Sequence, residues 1–135
     1  MITEVSINYL TVLIATVVSF LFGGIWYNLL FGKTLERVQK VKMGAGKSWT
    51  LLIIFSLITT FITAWVLACT VKLAGATTPA DALLIGFVIW LGYFAVTHSL
   101  GMVVWQGKSF KVYLIDAGFW LVNLIIMSMI LVIWA

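Results

Sequence analysis

Charge is what this sequence has least of: 9% of its 135 residues are Asp, Glu, Lys or Arg, too few to clothe a soluble domain in a hydrated surface. Cysteine occurs once, as Cys69, so no intrachain disulfide can form. Histidine also occurs once, as His98, and with no Cys or second His beside it a metal site lacks a ligand set; neither metal nor cofactor is expected. Proline occurs once, and Pro79 sits between apolar runs instead of inside one. Missing as well is the alternation of apolar and polar residues that marks the strands of a membrane barrel.

What is abundant is apolar surface, at 64% of the residues. One core of a chain this short cannot bury that much, so lipid must be the solvent for most of it. A spanning helix needs roughly 20 apolar residues, and four stretches qualify, at about 7–31, 49–71, 82–105 and 112–134. Unbroken runs of this length must satisfy their own backbone groups, which helices do. The expected fold is an all-α integral membrane protein: one domain of four transmembrane helices, arranged as two antiparallel hairpins.

Lys33, Arg37, Lys40, Lys42 and Lys47 precede the second helix, and Lys108 and Lys111 precede the fourth; only Lys72 falls on the opposite side. The positive-inside rule therefore places the basic loop 32–48 in the cytoplasm and both termini outside. The opening Met1-Ile-Thr-Glu-Val lacks a basic flank and no small-residue cleavage pattern follows it, so the first helix is expected to be retained. Because the net charge of +4 arises largely in that loop, nucleic acid is not an expected partner. Leu35, Val38 and Val41 recur at helical spacing among the basic residues, with Glu36 and Lys40 four apart. This predicts a short interfacial helix with its basic face toward anionic head groups.

Thr78-Pro79-Ala80-Asp81 reads as a helix start, with Thr78 as N-cap and Asp81 reaching back to the cap amide. Gly44-Ala-Gly46-Lys47-Ser48 resembles the end of a phosphate-binding loop, but Val41 stands where its first glycine belongs and no strand precedes it. The reading preferred for that segment is a loop in which Ser48 caps the second long helix. Small residues recur every four positions at Thr11, Ala15, Ser19 and Gly23, and again at Ser56, Thr60, Ala64 and Ala68. Such stripes let helices approach closely where lipid supplies no hydrophobic drive, so the first two long helices are expected to pack through them or against a second copy.

The ionisable residues placed within the hydrocarbon are His98 and Asp116, at roughly 10 Å and roughly 6 Å from the cytoplasmic turn at the helical rise. Asp116, Trp120, Asn123 and Met127 share one α-helical face; Phe94, His98, Met102 and Trp105 share another. One reading joins His98, Asp116 and Asn123, flanked by Tyr113 and Thr97, into a polar track for protons or small solutes. The simpler one is an interhelical hydrogen-bond clamp, since no further ionisable residue continues the path outward. Trp26, Tyr27 and Asn28, with Trp105, read either as an aromatic belt or as the rim of a lipid or small-molecule site on the cytoplasmic side. Ser99 adjoins His98, but helix neighbours point about 100° apart, so no hydrolytic triad is expected and no catalytic residue is assigned.

Asn8-Tyr9-Leu10-Thr11-Val12-Leu13, then Gly24-Ile-Trp26-Tyr27 leading to Leu30-Phe31-Gly32-Lys33, resembles the opening of a bacterial membrane family known as domain of unknown function 1761. Leu73 through Thr78, Gly86 through Tyr93, and Tyr113-Leu-Ile-Asp116-Ala-Gly118 continue the likeness in order along nearly the whole chain. That family often has Asn where this chain has Asp116, and His where it has Trp120. The resemblance implies a four-helix bacterial membrane protein of unassigned activity and transfers no catalytic residue. The expectation is a small inner-membrane homo-oligomer, dimer or trimer, acting as a non-enzymatic scaffold or as a binder of lipid or an apolar small molecule. The alternative is a minimal channel or transporter using the polar track.

Overall fold

The computed structural model describes residues 6–39 and 46–134. Four helices are long and apolar enough to cross a membrane: α1 (Tyr9–Leu30), α3 (Trp49–Leu73), α4 (Pro79–Trp105) and α5 (Phe110–Ile133). Between α1 and α3 lies the short α2 (Gly32–Gln39). The hydropathy-derived bounds agree to within about three residues, and no strand occurs among the described residues. Lys40 and Val41, which completed the expected pattern of the basic loop, and Gly44 lie outside the described residues.

Local chemistry sets the helix ends. The Asn8 side chain accepts from the Thr11 amide at 3.4 Å at the start of α1, and Ser48 Oγ accepts from the Leu51 amide at 3.1 Å at the start of α3. At α4 a full capping box forms: Asp81 N–H donates to Thr78 Oγ1 at 3.2 Å while Thr78 N–H donates to Asp81 Oδ2 at 3.2 Å. Gly107 takes the turn before α5 at φ 65°, a left-handed conformation that a Cβ would strain.

The axis of the bundle is α5. Half of its apolar window is buried, against 28% for α1 and 17% for α3 and α4. It runs antiparallel to α1, since Thr11 Oγ1 donates to the Trp134 carbonyl at 2.6 Å, near one end of the pair, and Tyr27 bonds to Asp116 near the other. It is also antiparallel to α4: Gly86 packs on Ile125 at one level and Tyr113 donates to the Ala95 carbonyl at another. A Cβ built on Gly86 would lie 3.1 Å from the Ile125 Cα, so glycine is what lets these two backbones touch.

The main core lies where α1 begins and α3 and α5 end. Val12 and Ala15 of α1 meet Ala64, Leu67, Ala68 and Val71 of α3 there, with Leu124, Met127 and Leu131 of α5. Toward the opposite end α3 leaves the bundle, and its buried residues are confined to Ala64, Leu67, Ala68 and Val71. The expected small-residue stripes therefore pack over half their length only. Ala15, Ala64 and Ala68 share one core cluster and Thr11 is buried, whereas Gly23, Ser56, Thr60 and the buried Ser19 line a cleft. A second, smaller cluster forms where Leu35 of α2 inserts against Val112 and Ile115 of α5, leaving Lys33 and Arg37 exposed.

Three stretches depart from α-geometry into π-helical turns: Ile25–Leu30 in α1, and Trp90–Ala95 and Ser99–Trp105 in α4. Hydrogen bonds there span five residues, as from Phe31 N–H to the Trp26 carbonyl at 3.0 Å. Each such turn holds more residues than an α-turn, so a face drawn at α-helical spacing drifts as it passes through. That is why Trp105, expected on the same inward face as His98, stands outside at 79% exposure.

Candidate functional site

Residues 113–117 of α5 form a hub that both flanking helices grip. From α1, Trp26 Nε1 donates to the Ile115 carbonyl at 3.1 Å and Tyr27 Oη donates to Asp116 Oδ1 at 2.7 Å. From α4, Trp90 Nε1 donates to the Ala117 carbonyl at 2.8 Å, while Tyr113 returns a bond to the Ala95 carbonyl at 2.6 Å. Each of these donors sits in or against a π-helical turn. In such a turn successive side chains lie closer in direction than the roughly 100° of an α-helix, which helps Trp26 and Tyr27 both address α5. An indole or phenol donor surrounded by hydrocarbon has no water to bond, so helix carbonyls with a spare lone pair are its natural partners.

Two turns beyond Asp116, Asn123 is 1% exposed and accepts from Ser19 Oγ at 2.7 Å; its Nδ2 points at Met127 Sδ at 3.4 Å. Between the two polar ties lies an aromatic wall. Phe119 stacks on Phe22 with centroids 5.4 Å apart, meets Tyr27 at 5.0 Å and Trp120 edge-on at 5.3 Å. Trp120 passes the row to Phe94 at 5.8 Å, and Phe94 stacks on His98 at 4.0 Å.

His98, Asp116 and Asn123 thus occupy one region without bonding to one another. Asp116 is held by Tyr27 and Asn123 by Ser19, and no hydrogen bond joins His98 to Asp116. His98 and Lys108 lie within electrostatic reach of the Asp116 carboxyl, and the buried Nδ1 of His98 has no hydrogen-bond partner. Among the described residues no three His, Cys, Asp or Glu side chains gather closely enough to hold a metal ion.

Where α3 diverges, a half-open cleft of about 510 Å³ separates it from α1 and α5. Its back is the aromatic wall, through Phe119, Trp120 and Tyr27, and Asn28 and Trp49 lie toward the end that carries the basic loop. Its opposite side is the polar part of the α3 stripe, with Ser56, Thr59, Thr60 and Thr63. Thr59 and Thr63 turn their hydroxyls back onto helix carbonyls at 3.0 Å. Ser56, Thr60 and Asn28 have no side-chain hydrogen bond, so their polar groups are free to meet whatever occupies the cleft.

Of the residues expected to rim a ligand site, Tyr27 and Asn28 line the cleft, as does Asn123 from the track set. Trp26 and Tyr113 are interhelical ties, and Trp105 lies apart from it. Ser19, Ser56, Thr60, Phe119 and Trp120 are among the lining residues that sequence reasoning missed as site residues. For Ser19, Ser56 and Thr60 the signal was present, in hydroxyls at stripe positions where close packing needs only small size, but it was read as packing alone.

Four long apolar helices, three of them bordering the cleft, and no strand among the described residues define an all-α, multi-pass membrane protein. The chain belongs to the family described as protein of unknown function (DUF1761), whose model matches residues 10–132, nearly the whole chain. No curated protein matches the chain, and no solved structure matches it.

Proposed function

We propose that the protein is a non-enzymatic component of a bacterial inner membrane that takes up a lipid or apolar small molecule in the cleft between α1, α3 and α5. The observation that carries this reading is the cleft itself: about 510 Å³, in the range of small-molecule sites, walled by aromatic rings and edged by unpaired polar groups. A bundle serving only as a scaffold has no need to hold α3 away from α5. The long helices form two antiparallel hairpins with both termini outside, which puts the mouth at Asn28 and Trp49 on the cytoplasmic side. There α2 offers Lys33 and Arg37 to anionic head groups.

Self-association, as a dimer or trimer, fits the exposed side of α4. Tyr93 lies near the middle of Pro79–Trp105, is 80% exposed, and its hydroxyl has no hydrogen bond. Hydrocarbon offers its hydroxyl no partner, whereas a second copy can.

The test is native mass spectrometry of protein released from nanodiscs, wild type beside Gly24→Leu. Gly24 lines the cleft and a Cβ there meets nothing within 4 Å, so the first carbon of a leucine enters without a clash and the rest of the side chain takes up cleft space. A bound membrane molecule in the wild type that the variant loses supports the reading; equal occupancy in both refutes it. A proton or solute path through His98, Asp116 and Asn123 is the second reading, resting on the unpartnered Nδ1 of His98. Liposome flux that Asp116→Asn abolishes would establish it in place of the first.

A further inference from the structure

We propose that the occupant of the cleft is a lipid-soluble quinone: an uncharged planar ring whose carbonyls accept hydrogen bonds. This rests on the cleft being a binding site, and three features of its lining narrow the chemistry.

The first is depth. Ser56 and Thr60 lie seven and eleven residues into α3 from Trp49, or roughly 10 and 16 Å at the helical rise. A head group that meets them is inside a hydrocarbon layer about 30 Å thick, where an ionised phosphate or carboxylate is too costly to hold unpaired. No lining residue is cationic, and the one carboxyl nearby, Asp116, is not among the lining residues and is already engaged by Tyr27. The polar part of the ligand is therefore neutral.

The second is the kind of polar group on offer. The free groups are donors: hydroxyls at Ser56 and Thr60 on one side, the Asn28 amide nearer the mouth, and the indole N–H groups of Trp49 and Trp120, none with a hydrogen bond. Ser19 is spent as a donor, since its hydroxyl goes to Asn123. A ligand with acceptors on separate edges of its ring uses the two α3 hydroxyls, four residues apart on one helix face, better than a ligand with a single hydroxyl does.

The third is shape. Phe119 and Trp120 on α5, Tyr27 and Phe20 on α1, and Trp49 on α3 surround the space with rings. The Phe119 ring is fixed from three sides by Phe22, Tyr27 and Trp120. Phe119 is buried behind this lining, while the less buried rings of Trp120 and Trp49 are the ones a flat conjugated ring can stack on and a flexible acyl chain cannot. The open side of the cleft lets an isoprenoid tail leave into lipid.

Trp49 and Trp120 line the site, so their fluorescence reports a bound quinone directly. The experiment titrates decylubiquinone into the full chain in phosphatidylcholine nanodiscs and follows tryptophan quenching. Saturable quenching is expected, smaller in Trp120→Phe and in Trp49→Phe, and absent in Gly24→Leu. Ser56→Ala and Thr60→Val should each weaken affinity about 3- to 10-fold, the usual worth of one neutral hydrogen bond. Circular dichroism of each variant confirms that the bundle is intact.

Quenching that never saturates, or that ignores both the Gly24 substitution and the hydroxyl deletions, overturns the quinone assignment. Equal displacement of the quinone by dioleoylglycerol or by decane overturns it too. If the quinone fails to bind while another lipid copurifies in a Gly24-dependent way, the quinone proposal falls and the binding reading stands. If nothing occupies the cleft and Gly24→Leu changes nothing, both fall.

Discussion

The bond from Tyr27 to Asp116 spans 89 residues of sequence and ties α1 to the central helix, so it invites a double-mutant cycle. Tyr27→Phe keeps the ring and its 5.0 Å contact with Phe119 while removing the one side-chain donor that reaches the carboxyl among the described residues. A buried acceptor stripped of its donor costs about 1–3 kcal/mol, so this single variant should lose that much. Asp116→Leu removes the acceptor and leaves the phenol unpaired. In the double variant neither polar group is left seeking the other, and the loss should be smaller than the sum by about 0.6–1.7 kcal/mol, the range of interhelical hydrogen bonds in membrane bundles. Reversible unfolding in mixed micelles of increasing SDS fraction, followed by circular dichroism, supplies the four free energies. Losses that add to within about 0.3–0.5 kcal/mol would refute the pairing, because independent sites behave that way.

Gly86→Ala forces a Cβ to within 3.1 Å of the Ile125 backbone and should destabilise the bundle by about 1–3 kcal/mol in the same assay, as overpacking does. Leu35→Ala removes the side chain that seats α2 on Val112 and Ile115; amide exchange across Gly32–Gln39 should accelerate while α5 keeps its protection. For the orientation, Cys69→Ser gives a cysteine-free background, into which Lys33→Cys and Thr77→Cys are introduced singly. An impermeant maleimide should label position 77 from outside intact cells and position 33 only after the membrane is opened; the reverse pattern would invert the topology. Tyr93→Leu should shift crosslinked oligomer toward monomer, and an unchanged oligomer would remove α4 from that interface.

Much of the fold was legible because its causes are local. Apolar runs long enough to span lipid mark α1, α3, α4 and α5 wherever they occur, and Thr78 with Asp81, like Ser48, caps a helix through bonds reaching three residues. The amphipathic α2 followed from Leu35 and Val38 among basic residues, before any partner surface was known.

The site was legible only in fragments. Spacing grouped Asp116, Trp120, Asn123 and Met127 on one face of α5, but said nothing of what they would face. Asp116 drew Tyr27 from α1 instead of His98 from α4, and the π-turns of α4 carried Trp105 out of the face assigned to it.

The sequence by itself determined that the chain has four helices long and apolar enough to cross a membrane, where each begins and which ends are capped, since hydropathy and capping act within a turn or two of the residues that cause them. Tertiary structure alone decided that α5 is the axis, that Tyr27 and Asp116 meet, and that α3 parts from α1 beyond Ala64 to leave a cleft. In lipid every face of these helices is apolar enough to be stable. The choice among faces rests on small differences in van der Waals fit and a few interhelical hydrogen bonds, contributed by residues far apart in the chain.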